Sequence, residues 1–283
     1  MEILRTCAEL RKWSREQRSG GRAVGLAPTM GALHEGHASL IRAARKACGA
    51  VAVSIFVNPT QFGPHEDFGR YPRSFEVDCR LAEAEGADVL FAPSVEEIYP
   101  EGSATFVEVA GLSERLDGRS RPGHFRGVAT VVAKLLIAAE ADRAYFGQKD
   151  AAQVSVLRRM AADLHFGTEI VVCPIVREPD GLALSSRNIY LSPSERKQAL
   201  ALSRAIRKAE ELFNAGDRNA GSLISAATKI LAAEPDIRID FVELVDWATL
   251  LPIETARAGA LLAVAAWVGT TRLIDNTVID QQI

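Results

Sequence analysis

Short apolar runs alternate with amphipathic segments through roughly the first 175 residues, and this alternation constrains the fold more than any other feature. Runs of the strand type cover residues 24–27, 51–57, 89–92, 144–146 and 170–176. Segments with apolar residues at helical spacing cover residues 36–48, 75–85, 128–137 and 150–164. Apolar strands separated by helices are typical of parallel sheets that are covered on both faces. The pattern therefore predicts an α/β fold built on a Rossmann-like, doubly wound parallel sheet.

The pattern changes after about residue 176. Ser192 begins a Ser-Pro-Ser-Glu sequence, a helix-start signal that opens a helical segment reaching about residue 214. Further elements are predicted over residues 222–233 (helix), 237–245, 260–268 and 272–274 (strands). We therefore predict two domains: a Rossmann-like ligand-binding domain over residues 1–176, and a smaller α+β domain over residues 177–283.

Composition and charge argue against several classes of protein. The chain has 283 residues and a formal net charge of −3, whereas a non-specific nucleic-acid binder normally carries a strong basic excess. The 4 cysteines lie far apart without a C-x-x-C pair, which indicates thiols in a reducing compartment rather than disulfides or a zinc site. No apolar run reaches the ~18 residues of a membrane span, and no signal-peptide pattern is visible. We expect a cytoplasmic protein that binds neither nucleic acid nor membranes.

The sequence P-T-M-G-A-L-H-E-G-H follows the first predicted strand and leads into the first predicted helix. Gly31 and Gly36 would let the backbone approach a ligand, and a helix N-terminus presents N–H groups to phosphates. His34 and His37 lie three residues apart, so they would face the same side of the helix. Capping or core packing is the alternative, and metal ligation is less favoured because no third ligand lies nearby in the sequence. We favour cationic hydrogen-bond donors that stabilise charge on a phosphoryl group.

Polar residues follow two other predicted strands. G-Q-K-D opens a helix after residues 144–146, and Lys149 at this helix start favours a phosphate contact, with Gln153 one turn further on. A simple turn with a helix-dipole charge is the alternative. Gln61 beside Phe62 follows an Asn-Pro turn and suits a small polar substrate, although an ordinary strand end would give the same signal.

Two further stretches could bind an anion. Ser185, Ser186 and Arg187 offer two hydroxyls and a guanidinium fork to phosphates, but an ordinary surface loop is the alternative. Residues 117–127 are glycine-rich and basic, and they form either a solvated loop or a mobile lid that supplies Arg to an anion. Because the carboxyl ends of parallel strands lie at one edge of a sheet, we expect the strand-end groups to converge on one ligand.

The His-x-x-His element and the later Ser-Ser-Arg resemble the HIGH-like and KMSKS-like signatures of the nucleotidylyltransferase superfamily and of class I aminoacyl-tRNA synthetases. More narrowly, ordered motifs between about residues 20 and 276 resemble the pantothenate synthetase family. These motifs are P-T-M-G-A-L-H-E-G-H, F-V-N-P-T-Q-F, Y-P-R, F-G-Q-K-D, D-G-L-A-L-S-S-R-N and L-I-D-N. The family commonly has Met at the position of Thr60, and often an aromatic residue followed by Gln at Ala151-Ala152.

The resemblance implies an AMP-forming acid–amino-acid ligase. Such an enzyme condenses (R)-pantoate with β-alanine through a pantoyl-adenylate, releases pyrophosphate and AMP, and forms pantothenate, a precursor of coenzyme A. ATP would be a substrate, Mg²⁺ is expected with it although its protein ligands are not identifiable in the sequence, and a homodimer is implied. A nucleotidylyltransferase that releases the adenylated compound is one alternative, and a nucleotide-binding regulatory module without catalysis is another.

The same resemblance implies three groups of site residues. ATP would contact Met30, Gly31, Ala32, Leu33, His34, Glu35, Gly36, His37, Gly147, Gln148, Lys149, Asp150, Val176, Leu184, Ser185, Ser186 and Arg187. The pentacovalent phosphorus would be stabilised by His34, Lys149, Ser185, Ser186 and Arg187, with His37 as a proton donor. Gln61 and Gln153 would hold pantoate, and Gln61 would also border β-alanine.

Overall fold

The computed structural model of the chain describes residues 1–64 and 66–280, and its larger sheet has six parallel strands. They are β1 (Glu2–Leu4), β2 (Val24–Thr29), β3 (Ala50–Ile55), β4 (Val89–Phe91), β5 (Arg143–Gly147) and β6 (Glu169–Cys173). Their order across the sheet is β1-β4-β3-β2-β5-β6. The predicted α/β fold with a doubly wound parallel sheet is confirmed.

Helices cover both faces of this sheet. They are α1 (Cys7–Ser19), α2 (Glu35–Ala47), α3 (Phe75–Ala84), α4 (Val95–Ile98), α5 (Asp117–Ser120), α6 (His124–Ala139) and α7 (Ala151–Asp163). Successive side chains of β2 point to opposite faces: Leu26 joins a buried cluster with α1 and α6, and Ala27 joins a second cluster with α2. Because both faces are covered, the interior strands read as continuous apolar runs.

The strand order reverses beside β2. The chain passes from β2 to its neighbour β3 and on to β4, and later places β5 along the opposite edge of β2. In open parallel sheets such a reversal leaves a crevice outside the carboxyl ends of the two strands, where ligands bind. The turns that follow β2 and β5 both begin at this crevice.

A second, antiparallel sheet consists of β7 (Ile237–Asp246), β8 (Ala260–Val268) and β9 (Thr271–Val278), with helices α8 (Pro193–Asn214) and α9 (Ala220–Ala232). The Ser192 hydroxyl accepts from the Glu195 N–H, and the Glu195 carboxylate accepts from the Ser192 N–H, so a capping box begins α8. One face of the sheet packs on α8 and α9. Trp247, just after β7, belongs to the buried cluster of the larger sheet.

Several predicted bounds are corrected. β3 ends at Ile55, and β6 ends at Cys173 because Pro174 lacks the N–H that would continue the ladder. β9 extends to Val278, since antiparallel pairing with β8 continues through polar residues. Residues 117–127 are not a plain loop: they contain α5 and the first turn of α6, where Phe125 is buried.

The elements β1 and α1 were not predicted. β1 has only three residues and two of them are exposed, so the sequence carries no alternation there. The predicted domain boundary at residue 176 stays a prediction. No helix in the described part of the chain combines the length and apolar character that a membrane crossing requires.

Candidate active site

The turn after β2 is held by a buried carboxylate. Gly31 has φ +86° and Ala32 has φ +50°, both in the left-handed region. A Cβ atom on Gly31 would also lie 3.0 Å from Ile55 Cγ2, so both conformation and space require glycine there. Asp78 of α3 is 2% exposed and accepts from the N–H groups of Ala32 and Leu33, each at 2.9 Å. These two amides therefore bond to Asp78 instead of pointing to a ligand.

His34 and His37 cap α2 reciprocally. His34 Nδ1 accepts from the Gly36 N–H at 3.1 Å, and His37 Nδ1 accepts from the His34 N–H at 3.3 Å. The two rings lie side by side, with their centroids 4.2 Å apart. Because each Nδ1 is an acceptor, the proton of each neutral imidazole lies on Nε2. The pair therefore offers two Nε2–H donors at the crevice.

Both imidazoles are neutral at physiological pH. Burial, together with the neighbouring His34 and Lys149, lowers the pKa of His37 to about 3. The pKa of His34 is lowered as well, mainly by burial and then by Lys149. In this structure the two imidazoles are therefore neutral and not the expected cations, because a desolvated imidazole beside an ammonium group loses its proton. Neither histidine carries an extra proton to donate in this structure.

Lys149 reaches the same crevice from the turn after β5. It lies in a 3-10 turn, Gln148–Asp150, directly before α7. Its Nζ atom is 3.6 Å from Asp150 Oδ1, and its side chain is 22% exposed. It lines the same cleft as His34 and His37, and its charge lowers the pKa of both. Groups from the ends of two adjacent strands thus converge at the point where the strand order reverses.

Residues 184–187 form the third wall of the site. The Leu184 N–H donates to Val176 O at 3.0 Å, and Ser185 Oγ accepts from the Arg187 N–H at 3.3 Å. The Arg187 guanidinium donates to both oxygens of Asp67, at 3.0 and 2.9 Å. The fork of Arg187 is therefore paired with a carboxylate in this structure, and an anionic ligand would compete with that pair.

The three loops enclose a cleft of about 170 Å³. The predicted ATP contacts on its lining are Met30, His34, Gly36, His37, Gly147, Lys149, Asp150, Val176, Leu184, Ser185, Ser186 and Arg187. Gly31, Ala32, Leu33, Glu35 and Gln148 lie outside this lining. Glu35 pairs with Arg42, and Gln148 Nε2 donates to Asn276 Oδ1 at 3.2 Å, so these side chains have partners elsewhere.

A second cavity of about 170 Å³ continues from this cleft, and Met30, His37 and Gln153 are among the residues that line both. Gln61 lies on its lining and is 9% exposed. Asn58 Nδ2 donates to Gln61 Oε1 at 3.1 Å, and Gln61 Nε2 lies 3.0 Å from Met30 Sδ, so the Gln61 amide is oriented without a ligand. Apolar lining is supplied by Phe56, Phe62, Val128, Val131, Val132 and Leu135.

Arg121 and His124 line this second cavity and were named in the sequence only as part of a loop or lid. Arg121 donates to both oxygens of Glu66 at 2.6 Å, and His124 donates from Nδ1 to Gln61 O at 2.9 Å. Burial and then Arg121 lower the pKa of His124 to about 4. These contacts hold the segment in the cavity wall. Tyr71, also on the lining, was signalled only by the Y-P-R motif.

The departures from the family sequence lie away from both linings. Thr60 is exposed; its Oγ1 donates to Asn58 Oδ1 at 2.9 Å and lies 3.1 Å from the Tyr99 hydroxyl. Ala151 and Ala152 are 4% and 3% exposed and belong to the main buried cluster. None of the three is among the described residues that line the two cavities. The apolar character of the pocket therefore does not depend on them.

Asp150 supplies the carboxylate on the lining of the first cleft, and its side chain is 48% exposed. Within residues 1–64 and 66–280, no group of three or more His, Cys, Asp or Glu is arranged to hold a metal ion. Mg²⁺ usually keeps several waters and takes its other oxygens from one or two carboxylates and substrate phosphates. This lining fits a Mg²⁺ that would take most of its oxygens from phosphates and water, with Asp150 as the one carboxylate it could add.

Comparisons with known sequences agree over almost the whole chain. A family profile described as Pantoate-beta-alanine ligase matches residues 2–278. The pantothenate synthetase of Acidobacterium capsulatum is 57% identical over 292 aligned positions, covering 99% of this chain and 98% of that protein. The pantothenate synthetase of Thermotoga neapolitana is 56% identical over 279 positions, covering 99% of this chain and 100% of that protein.

Solved structures agree as well. The crystal structure of pantothenate synthetase from Thermus thermophilus has a TM-score of 0.93 and 48% identity, over 98% of this chain and 99% of that chain. A pantoate-beta-alanine ligase from Francisella tularensis, complexed with beta-gamma ATP and beta-alanine, has a TM-score of 0.79 and 32% identity, over 100% and 99% of the two chains. With sequence and fold matched end to end, the chain belongs to the pantoate–β-alanine ligase family, the pantothenate synthetases.

Proposed function

We propose that this ligase activates pantoate with ATP and then forms an amide with β-alanine in one continuous cleft. In the first step a pantoate carboxylate oxygen attacks the α-phosphorus of ATP, and the bond to pyrophosphate breaks. In the second step the β-alanine amine attacks the acyl carbon, loses a proton and displaces AMP. The observation that carries the proposal is the meeting of His37, Lys149 and Ser185 in a cleft at the sheet's reversal point.

Carboxylate attack on phosphorus needs no protein nucleophile; it needs positioning and stabilisation of charge. We assign the Lys149 ammonium and the Nε2–H groups of His34 and His37 to the oxygens of the reacting phosphoryl group. The histidines act as neutral donors, because their pKa values are lowered by burial. The hydroxyls of Ser185 and Ser186 and the Arg187 guanidinium supply further donors once Arg187 leaves Asp67.

The second cavity suits pantoate. Gln61 and Gln153 offer uncharged amides to its hydroxyl and carboxylate groups, and the apolar wall suits its methyl groups. A ligand carboxylate at the junction of the two cavities would lie beside His37, which lines both, and next to the cleft that Lys149 lines. Gln61 would also border β-alanine.

Further assignments rest on the family resemblance, on the sequence pattern and on the lining of the cleft. Mg²⁺ accompanies ATP and neutralises phosphate charge, with Asp150 as its candidate protein ligand. The protein is a cytoplasmic homodimer, with the His34-to-His37 element as its HIGH-like motif. Residues 1–176 bind nucleotide and pantoate, and residues 177–283 contribute the Ser-Ser-Arg loop.

The test supplies the purified protein with ATP, pantoate and β-alanine. AMP forms in step with pantothenate if the proposal is right, and ATP with pantoate alone gives an enzyme-bound adenylate and pyrophosphate. A released adenylate without amide would indicate the nucleotidylyltransferase instead. No product of either kind would indicate a binding module.

Variants test the residue roles. Lys149→Ala is expected to lower kcat by ~10²-fold or more, as the loss of a transition-state donor does. Gln61→Ala is expected to raise the KM for pantoate with little change in the KM for ATP. Lys12→Ala, at a lysine whose side chain is 79% exposed on α1, is the matched control. A Lys149→Ala rate within a few-fold of the parent would remove Lys149 from the chemistry.

A further inference from the structure

Two neighbouring polar residues of β9 are almost completely buried. Asp275 is 2% exposed and Asn276 is 4% exposed. Burial of polar groups costs free energy unless they are hydrogen-bonded. Because successive side chains of a strand point to opposite faces, the two residues reach different parts of the molecule.

Asn276 bonds to the turn that carries Lys149. Its Nδ2 donates to the backbone carbonyls of Gln148 and Lys149, at 3.0 and 2.9 Å. Its Oδ1 accepts from Gln148 Nε2 at 3.2 Å. All three hydrogen bonds of the Asn276 side chain are therefore made to one turn of the first sheet. The two ends of each bond lie 127 or 128 positions apart in the sequence.

These bonds fix the backbone on both sides of Lys149. The carbonyl of Gln148 belongs to the peptide plane before the Lys149 Cα, and the carbonyl of Lys149 belongs to the plane after it. When one amide group holds both planes, the φ and ψ angles of Lys149 have little freedom. The direction in which its side chain leaves the backbone is fixed as a result.

Asp275 holds the neighbouring wall of the cleft. It accepts from Arg177 Nη1 and Nη2 at 2.7 and 2.9 Å, and Arg177 Nη1 also donates to Gly181 O at 3.2 Å. Arg177 pairs with Ala183 at the base of the hairpin that leads into residues 184–187. Asn276 thus bonds to the turn that carries Lys149, and Asp275 bonds to the arginine beside residues 184–187. Both of these segments line the cleft.

We propose that Asn276 is a positioning residue for the first chemical step, acting by holding the Lys149 backbone so that the ammonium meets the reacting phosphoryl group. This inference rests on the proposed contact between Lys149 and that group. Asn276 lies on neither cavity lining, so it acts through Lys149 and not on the substrate. A small misplacement of a reacting group can cost ~10²-fold in rate.

The test measures single-turnover formation of pantoyl-adenylate from ATP and pantoate. Asn276→Ala is expected to lower this rate by ~10-fold or more, with a smaller change in the concentration of ATP that gives half the maximal rate. Asn276→Ser, which is too short to reach both carbonyls, is the second variant in case the alanine variant does not fold. Thr277→Ala is the matched control, because it removes a hydrogen bond to Glu210 from the next position of the same strand. The control is expected to keep the parental rate.

A double-mutant cycle separates positioning from general destabilisation. In a Lys149→Ala background, Asn276→Ala is expected to change the rate less than ~3-fold, because residues that act as a unit are not additive. The same fold-loss in both backgrounds, or a rate for both Asn276 variants within twofold of the parent, would overturn the inference. A Lys149→Ala enzyme with the parental rate would overturn both the proposed role of Lys149 and this inference. A slow Lys149→Ala enzyme together with Asn276 variants at the parental rate would overturn this inference alone.

Discussion

A reciprocal cap turns the paired histidines into neutral donors. Each Nδ1 is used by a backbone N–H at the start of α2, which leaves the proton of each ring on Nε2. The same burial that fixes the rings lowers the pKa of His37 to about 3. A neutral N–H donor stabilises developing negative charge without the strong ground-state attraction that an imidazolium would exert on ATP. Among His34, His37 and Lys149, the positive charge comes from Lys149.

The lowered pKa of His37 predicts a pH dependence of stability. Because an unfolded histidine has a pKa of about 6.5, the unfolded state binds more protons than the folded state between that pH and about 3. The free energy of unfolding therefore falls as the pH drops through this window. Replacing His37 by Gln removes this term, so between pH 5 and 6 the slope of unfolding free energy against pH should become shallower by about 1 kcal/mol per pH unit.

Urea unfolding at several pH values measures this slope. The matched control is His165→Gln, at an exposed histidine that follows α7 in the sequence. The control should keep the slope of the parent protein. Equal slopes for the His37→Gln variant and the parent would contradict a buried, neutral His37.

At this scale the sequence predicted which residue types stand at the strand ends, but not their charge states or partners. His34, His37 and Lys149 were identifiable because each follows an apolar strand. The neutrality of the histidines depends on burial by residues far along the chain. The pairing of Arg187 with Asp67 joins positions 120 residues apart, and no local pattern predicts it.

At the scale of elements, helices and strands with a strong hydrophobic pattern were predicted from the sequence, and those with a weak pattern were not. α8 begins at the predicted Ser-Pro-Ser-Glu cap, and the apolar strands β2 and β3 are buried on both faces. The segment 117–127 contains glycines and charges typical of a loop, yet α6 starts within it. Tertiary packing overrides local propensity there, since Phe125 is 2% exposed in the core.

Close packing of α6 against the turn that carries Gln61 predicts the effect of a single methyl group. A Cβ atom on Gly127 would lie 2.3 Å from Thr60 O and 2.7 Å from the Gln61 nitrogen, and Asn58 Nδ2 donates to Gly127 O at 3.1 Å. Gly127→Ala must push the helix away from the turn, at a cost of ~1–3 kcal/mol as for other overpacked sites. We expect lower stability in urea and a raised KM for pantoate.

The matched control for this variant is Gly167→Ala, where an added Cβ meets nothing within 4 Å. It should leave both stability and KM close to those of the parent. A Gly127→Ala protein with parental KM values for pantoate would show that the turn does not position Gln61 for binding.

At the scale of the whole molecule, the two sheets share buried contacts across the predicted boundary at residue 176. Trp247 Nε1 donates to Ala151 O at 3.1 Å, and Ser155 Oγ donates to Trp247 O at 2.5 Å. Phe241 and Val245 of β7 belong to the same buried cluster as Leu157 of α7. Such contacts between distant positions follow from the packing of the two sheets, so the sequence predicted two units without predicting how they are joined.

This shared core predicts that the two sheets open together. Native-state hydrogen exchange should give the same free energy of opening for the amides of β2 (Val24–Thr29) and β8 (Ala260–Val268), because separating the sheets would expose the cluster around Trp247. Trp247→Ala should lower both values together, by ~3–5 kcal/mol as for other buried aromatic truncations. Trp267→Ala, at a partly exposed tryptophan outside that cluster, is the control and should change them less. If the amides of β8 in the parent protein exchanged through a separate opening of lower free energy, residues 177–283 would be an independently unfolding domain. The contacts of β9 with the Lys149 turn would then not be enough to hold the cleft together.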